Sequence, residues 1–272
     1  MNKFVLAIIA LLCWPLAAMA EDVAQAQPEK TTPTGVPVQP YEPGIESSGY
    51  VWNEMKSEKL RALRALGDPL RGEIAIEICQ GCHKSGAQGR PDGSYPRLAG
   101  QHDTVLIKQI TDIRAGRRDN PKMYPFANAH VISIQDIADI AVYLGTLPVT
   151  PDNGKGPGAG LALGQKLYES GCNKCHGDKG EGNGDKFYPR LSGQHYKYLV
   201  REITYIRDGQ RRNANPKMVE QIKPYSNADI EAVADYVSRI PPSATVKAAT
   251  KVSENKPAAA GKSVAAHVAT AK

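Results

Sequence analysis

At 272 residues, 41% of them hydrophobic, the chain has room for one large domain or two of ordinary size. Its formal charge of +6 gathers at the ends: residues 243–272 hold five lysines against one glutamate and Lys3 lies in the leader, which leaves residues 21–242 at about +1. A broad basic face for nucleic acid is thereby excluded as the organising feature, and no apolar run reaches the roughly 20 residues that a membrane span requires.

In chain order, residues 1–20 combine Lys3, an apolar run from Phe4 to Leu16 and Ala18-Met19-Ala20 ahead of Glu21-Asp22, the pattern of a cleaved secretory signal. The mature product is expected to be soluble and periplasmic. Cys13 leaves with the signal, and the bulky Leu12 before it argues against a lipoprotein site. The four remaining cysteines all fall inside two short motifs, so no disulfide is expected even in an oxidising compartment. Residues 21–52 are rich in proline, threonine and glutamine up to about Gly49 and read as a disordered linker. The first domain is expected over residues 53–148, led by a short amphipathic helix on which Leu60, Leu63 and Leu66 recur at helical spacing. That helix packs on the domain in the simplest reading; docking to a partner is the alternative.

Asp68-Pro69 supplies an N-cap and a first-turn proline for a helix that runs into Cys79-Gln80-Gly81-Cys82-His83. Two cysteines with two residues between them, and histidine directly after, can form thioethers to both haem vinyl groups while the imidazole ligates iron. The motif returns as Cys172-Asn173-Lys174-Cys175-His176, about 90 residues on, too far for the spacing of a zinc site. Two covalent c-type haems are therefore expected. Tyr95, Pro96, Arg97, Leu98, Gly100, Gln101 and His102 recur 93 positions later as Tyr188, Pro189, Arg190, Leu191, Gly193, Gln194 and His195. The offset is 95 at Asn120-Pro121-Lys122-Met123 against Asn215-Pro216-Lys217-Met218, and 93 again for the closing helices, Ser133–Pro148 against Ser226–Pro241. Shared spacing of this kind implies two similar units. Each reads as all-α, three helices around its haem, with the middle helices near Thr104–Arg114 and Lys197–Arg207 and the last near Ile134–Leu147 and Ala228–Ile240. Gly72 and Gly164 precede the motifs inside helices, a costly place for glycine, and imply close approach of the closing helices that carry Tyr143 and Tyr236. Residues 149–160 form a glycine- and proline-rich interdomain linker, 161–242 the second domain, and 243–272 a disordered basic tail.

The sixth position of each iron decides between carrier and catalyst. Outside the signal, Met55, Met123 and Met218 are the candidate thioethers; Met123 and Met218 follow the same Asn-Pro-Lys triplet, 40 and 42 residues after His83 and His176. The ligand pairs expected are His83 with Met123 and His176 with Met218. His102 and His195 are rivals that also recur, with surface or capping roles as the plainer reading, and His130 and His267 have no repeat partner. Tyr95 and Tyr188 are expected to line the haems, Arg97 and Arg190 to pair with propionates, and Pro96 and Pro189 to offer a carbonyl to the far nitrogen of the ligating histidine.

With these residues in view, the sequence resembles the dihaem cytochrome c4 family: two CxxCH motifs, Pro-Arg-Leu-x-Gly-Gln in each half, distal Met123 and Met218, and closing helices with Tyr143 and Tyr236, from about Pro69 to Pro241. The resemblance implies two tandem class I cytochrome c domains related by a pseudo-twofold, and a periplasmic electron shuttle that is no enzyme. The implied partners are a quinol-oxidising complex or a dehydrogenase as donor and a terminal oxidase or reductase as acceptor. The N-terminal extension and the tail depart from the pattern and keep peripheral membrane or partner association open. Alternatives are the electron-accepting subunit of a larger complex, such as a sulfide-oxidising flavoprotein, and a dihaem peroxidase or thiosulfate-oxidising enzyme. A thiolate-ligated haem would need a cysteine beyond the four in the motifs.

Overall fold

Both halves of the chain start their closing helices with the same device, while only the first half caps its entry helix with a side chain. In a computed structural model that describes residue 31 and residues 35–242, Asp68 caps α2 (Pro69–Ala75) by accepting from Leu70 N at 2.8 Å. Ser133 and Asp136 form a capping box on α6 (Ile134–Thr146), and Ser226 and Asp229 form the same box on α11 (Asn227–Arg239). The described residues are helical, with only isolated bridges at Thr31–Pro37 and Asn183–Tyr188. The signal segment 1–20 and the tail 243–272 lie outside them.

The first unit consists of α1 (Ser57–Arg64), α2, α3 (Glu77–His83), α4 (Asp103–Arg114), α5 (Tyr124–Ala127) and α6. Its counterpart runs α7 (Leu161–Leu167), a π-turn over Tyr168–Cys172, α8 (Asn173–His176), α9 (Tyr196–Arg207), α10 (Pro216–Ile222) and α11. The entry helix crosses the closing helix without side chains between them: a Cβ on Gly72 would stand 2.1 Å from Asp139 O, and one on Gly164 2.1 Å from Ala232 O. Beneath these crossings lie two cores, one with Ile113, Ile137, Ile140 and Leu144, the other with Tyr168, Ile222, Ile230 and Val237. The leading helix α1 rests on α4 and α6, but it buries Lys59 and Ala62, while Leu66 is 55% exposed.

The two units face each other through equivalent residues. Gln101 accepts from Arg190 N at 2.8 Å and donates to Arg190 O at 3.1 Å, and Gln194 makes the same two bonds to Arg97. His102 Nε2 lies 2.8 Å from Glu181 O, and His195 Nε2 lies 2.8 Å from Gln88 O, the position equivalent to Glu181. Each contact thus has its mirror, as a twofold requires. A ring of four side chains closes the interface: Arg118 and Arg211, themselves equivalent, each bond both Gln109 and Glu202 at 3.0–3.1 Å.

Residues 39–52 differ from the expected disordered linker. Gln39 Nε2 donates to Ile113 O at 2.7 Å and Arg118 O at 2.8 Å, Ile45 N donates to Arg212 O at 2.9 Å, and Tyr50 Oη donates to Ala214 O at 3.0 Å. The segment has no apolar periodicity because side-chain hydrogen bonds, an ion pair from Glu42 to Arg117 at 2.8 Å and aromatic contacts hold it instead. The linker is equally stitched down, with buried Asn153 donating to Gln194 O and Ser238 O at 3.0 and 2.7 Å.

Candidate haem centres

Each motif histidine is the last residue of its helix, and the chain leaves it in the left-handed half of backbone space: Lys84 at φ +67° after His83, Gly177 at φ +77° after His176. That turn brings the next loop back under the ring. His83 Nδ1 lies 2.9 Å from Pro96 O and His176 Nδ1 lies 2.9 Å from Pro189 O. A carbonyl only accepts, so Nδ1 carries the proton in both rings and Nε2 keeps its lone pair for a metal. Both histidines are buried, and burial pushes both away from the protonated form; at His83 the Arg118 charge adds to this.

The tyrosines stand beside these rings, with centroids 5.9 Å apart for His83–Tyr95 and 6.5 Å for His176–Tyr188. All four motif cysteines are free and half-buried. Burial pushes the Cys79 and Cys172 thiols up to about 11, which as thioethers they would escape. Arg97 and Arg190 are buried, but the Nη groups of Arg97 are committed elsewhere: to Thr150 O at 2.7 Å, Gly193 O at 2.6 Å and Asp152 at 3.0 Å. Its Nε is buried with no hydrogen-bond partner among the described residues, an orphaned donor that a propionate would satisfy. Free cysteines and unprotonated Nε2 atoms on pinned histidines fit a covalent haem in each unit, and the orphaned N–H of Arg97 fits a propionate in the first.

Met123 and Met218 both pack against the core of their unit, while Met55 is 48% exposed. The two methionine segments are less alike than their shared triplet. Met123 sits in a turn just ahead of α5, its N–H accepted by Asn120 O at 3.1 Å and Asn120 Oδ1 at 3.2 Å. Met218 lies inside α10, which Asn215 caps. The repeated histidines His102 and His195 are committed to the opposite unit's carbonyls, and His195 Nδ1 also accepts from Gly154 N at 3.1 Å.

Three contacts escaped the sequence reading. Arg90 lies over the Tyr95 ring at 5.5 Å and reaches Cys82 O at 3.4 Å; its counterpart is the neutral Asn183. Trp52 stacks on the Tyr188 ring of the second site at 6.0 Å. The Arg118–Gln109–Arg211–Glu202 ring was signalled only by its offset of 93.

A family model described as cytochrome c matches residues 72–148 and 161–241. The chain is 33% identical over 197 residues to cytochrome c4 of Azotobacter vinelandii, covering 64% of this chain and 89% of that one. It is 34% identical over 178 residues to a thiosulfate dehydrogenase electron acceptor of Stutzerimonas stutzeri, covering 61% and 80%. Among solved structures, reduced cytochrome c4 from Pseudomonas stutzeri superposes with a TM-score of 0.58 at 30% identity, over 64% of this chain and 100% of that one.

Proposed function

The chain belongs to the dihaem cytochrome c4 family, and from that premise we propose that it is an exported periplasmic shuttle whose irons sit between His83 and Met123 and between His176 and Met218. It is an electron-transfer cytochrome with two covalent haems, a carrier and not an enzyme, and it works with redox partners. When bound, the haems supply one-electron oxidation and reduction. The polypeptide holds them: Cys79, Cys82, Cys172 and Cys175 as thioether anchors, Pro96 and Pro189 fixing the imidazoles, Tyr95 and Tyr188 beside the rings, and Arg97 Nε offering an N–H to a propionate. Arg190, at the equivalent buried position, pairs with a propionate of the second haem. The observation that supports the reading is the pair of 2.9 Å Nδ1–carbonyl contacts, which leave Nε2 unprotonated on the equivalent histidine of both units. With His83 and Met123, and His176 and Met218, as its donors, each iron would keep no position for a substrate, so the surface need only dock partners briefly.

The donor is a quinol-oxidising complex or a dehydrogenase, and the acceptor a terminal oxidase or reductase. The domain bounds are 53–148 and 161–242, with 149–160 between them. A second reading, electron acceptor of a dehydrogenase that oxidises an inorganic sulfur compound, is favoured by the likeness to the Stutzerimonas stutzeri protein. Near-infrared spectra of the oxidised protein test the ligand sets: methionine-to-ferric-iron bands for two centres are expected, and a five-coordinate centre at rest overturns the carrier reading. Stable co-purification with a dehydrogenase at native salt selects the second.

A further inference from the structure

The strap formed by residues 39–52 meets both methionine segments by a hydrogen bond to the peptide unit just ahead of the asparagine that holds the methionine. In the first unit Gln39 Oε1 accepts from Asn120 N at 2.8 Å, and Gln39 Nε2 donates to Ile113 O and Arg118 O, both just ahead of the Met123 turn. Asn120 in turn holds Met123, its carbonyl accepting from Met123 N at 3.1 Å and Tyr124 N at 3.0 Å. In the second unit Tyr50 Oη donates to Ala214 O at 3.0 Å. The next residue, Asn215, accepts from Met218 N at 2.9 Å through its carbonyl and from Lys217 N at 3.0 Å through its side chain.

The strap is seated closely at both places. A Cβ on Gly116 would stand 1.9 Å from Pro40 O, and a Cβ on Gly44 would stand 2.4 Å from Arg212 O. Arg212 also lies over the Tyr41 ring at 4.2 Å and donates to Gly116 O at 2.6 Å, so the strap and the two segments form one assembly. Both segments are otherwise irregular or short, the kind of structure that opens locally at little cost unless something holds it.

We propose that Gln39 and Tyr50 are positioning residues for the two sulfur ligands: the strap clasps the Met123 segment through Gln39 and the Met218 segment through Tyr50, and so keeps each thioether from leaving its iron. The inference rests on Met123 and Met218 being those ligands. A ligand offered from solution binds only the fraction of molecules whose segment has opened, so its apparent affinity reports how firmly the segment is closed.

The test uses the full-length dihaem protein in its ferric form, titrated with imidazole while the methionine-to-iron band is followed. Gln39→Ala removes three hydrogen bonds and is expected to let imidazole displace one methionine at about tenfold lower concentration. That effect should vanish in a Met123→His background. Tyr50→Phe keeps the ring, loses one hydroxyl, and is expected to ease displacement about fivefold at the other centre, the effect vanishing in a Met218→His background. Titrations that superimpose on the parent, or that shift both centres together in either variant, overturn the proposal. A parent protein with no such band overturns the ligand assignment instead.

Discussion

Gln194 brackets the backbone of Arg97 across the interface, its Oε1 accepting from Arg97 N at 2.9 Å and its Nε2 donating to Arg97 O at 3.0 Å. Arg97 follows Pro96, whose carbonyl fixes His83, so a side chain of the second unit steadies the histidine-bearing site of the first. Both partners are buried. Gln194→Ala leaves an N–H and a carbonyl unpaired in the interior and should cost about 2 kcal/mol, measured by denaturation of the dihaem protein. Gln101→Ala, acting on the backbone of Arg190, should cost a similar amount; a loss at one position alone would show that the interface is not reciprocal.

Met123→His and Met218→His should each keep the covalent haem and lower the potential of one centre, because thioether ligation favours the reduced iron relative to imidazole. A redox titration that is unchanged in either variant removes that methionine from the ligand set. The two substitutions need not be equal in effect, since Met123 lies in a turn and Met218 in a helix.

What was legible in the sequence is what repetition and local rules carry. The recurrence of CxxCH, of Tyr-Pro-Arg and of the closing helices marked two units, and Gly72 and Gly164 marked the crossings because a glycine inside a helix calls for a close neighbour. Gln101, His102, Gln194 and His195 were visible as a repeat, but a repeat does not say whether its members serve their own unit or the other one. Here they serve the other, and the capping role first suggested for the histidines gives way to bonds across the interface. The strap was illegible for a different reason. Gln39, Ile45, Tyr50 and Trp52 follow no helical or strand period, and each is held by a carbonyl or ring more than 70 residues away in sequence.

Gly164→Ala should destabilise the second unit by about 2–3 kcal/mol, since the new methyl would meet a backbone carbonyl and the Tyr236 Cβ that cannot move independently of α11. Gly209 has open space around it, so at that position alanine meets only the strain of φ +75°. Thermal denaturation of the Gly164→Ala variant checks this, and an unchanged midpoint would mean that the crossing is looser than 2.1 Å implies.

Lys59 gives a pH dependence with a definite sign. Lys59 is 3% exposed, and its ammonium donates to Asn53 Oδ1 at 3.0 Å. Burial pushes its pKa down to about 8, helped by the charges of Lys108 and Arg117 and opposed by Asp112 and Glu54. Asp112 does not simply cancel the lysine. It is buried itself, and Lys108, Asn213 and Arg117 already hold it ionised. Below pH 8 both folded and unfolded chains carry the Lys59 proton, and the folded state bears the cost of burying it. Between about 8 and about 10.4 the unfolded chain still binds the proton and the folded chain has released it, so stability rises with pH across that window and levels off above it. The gain is on the order of 1–3 kcal/mol. Lys59→Met keeps the buried stem and removes the titrating group, so the parent should gain stability relative to this variant between pH 7.5 and pH 10 in denaturant unfolding of the dihaem protein. Profiles that run parallel would mean that Lys59 reaches water more readily than its burial implies.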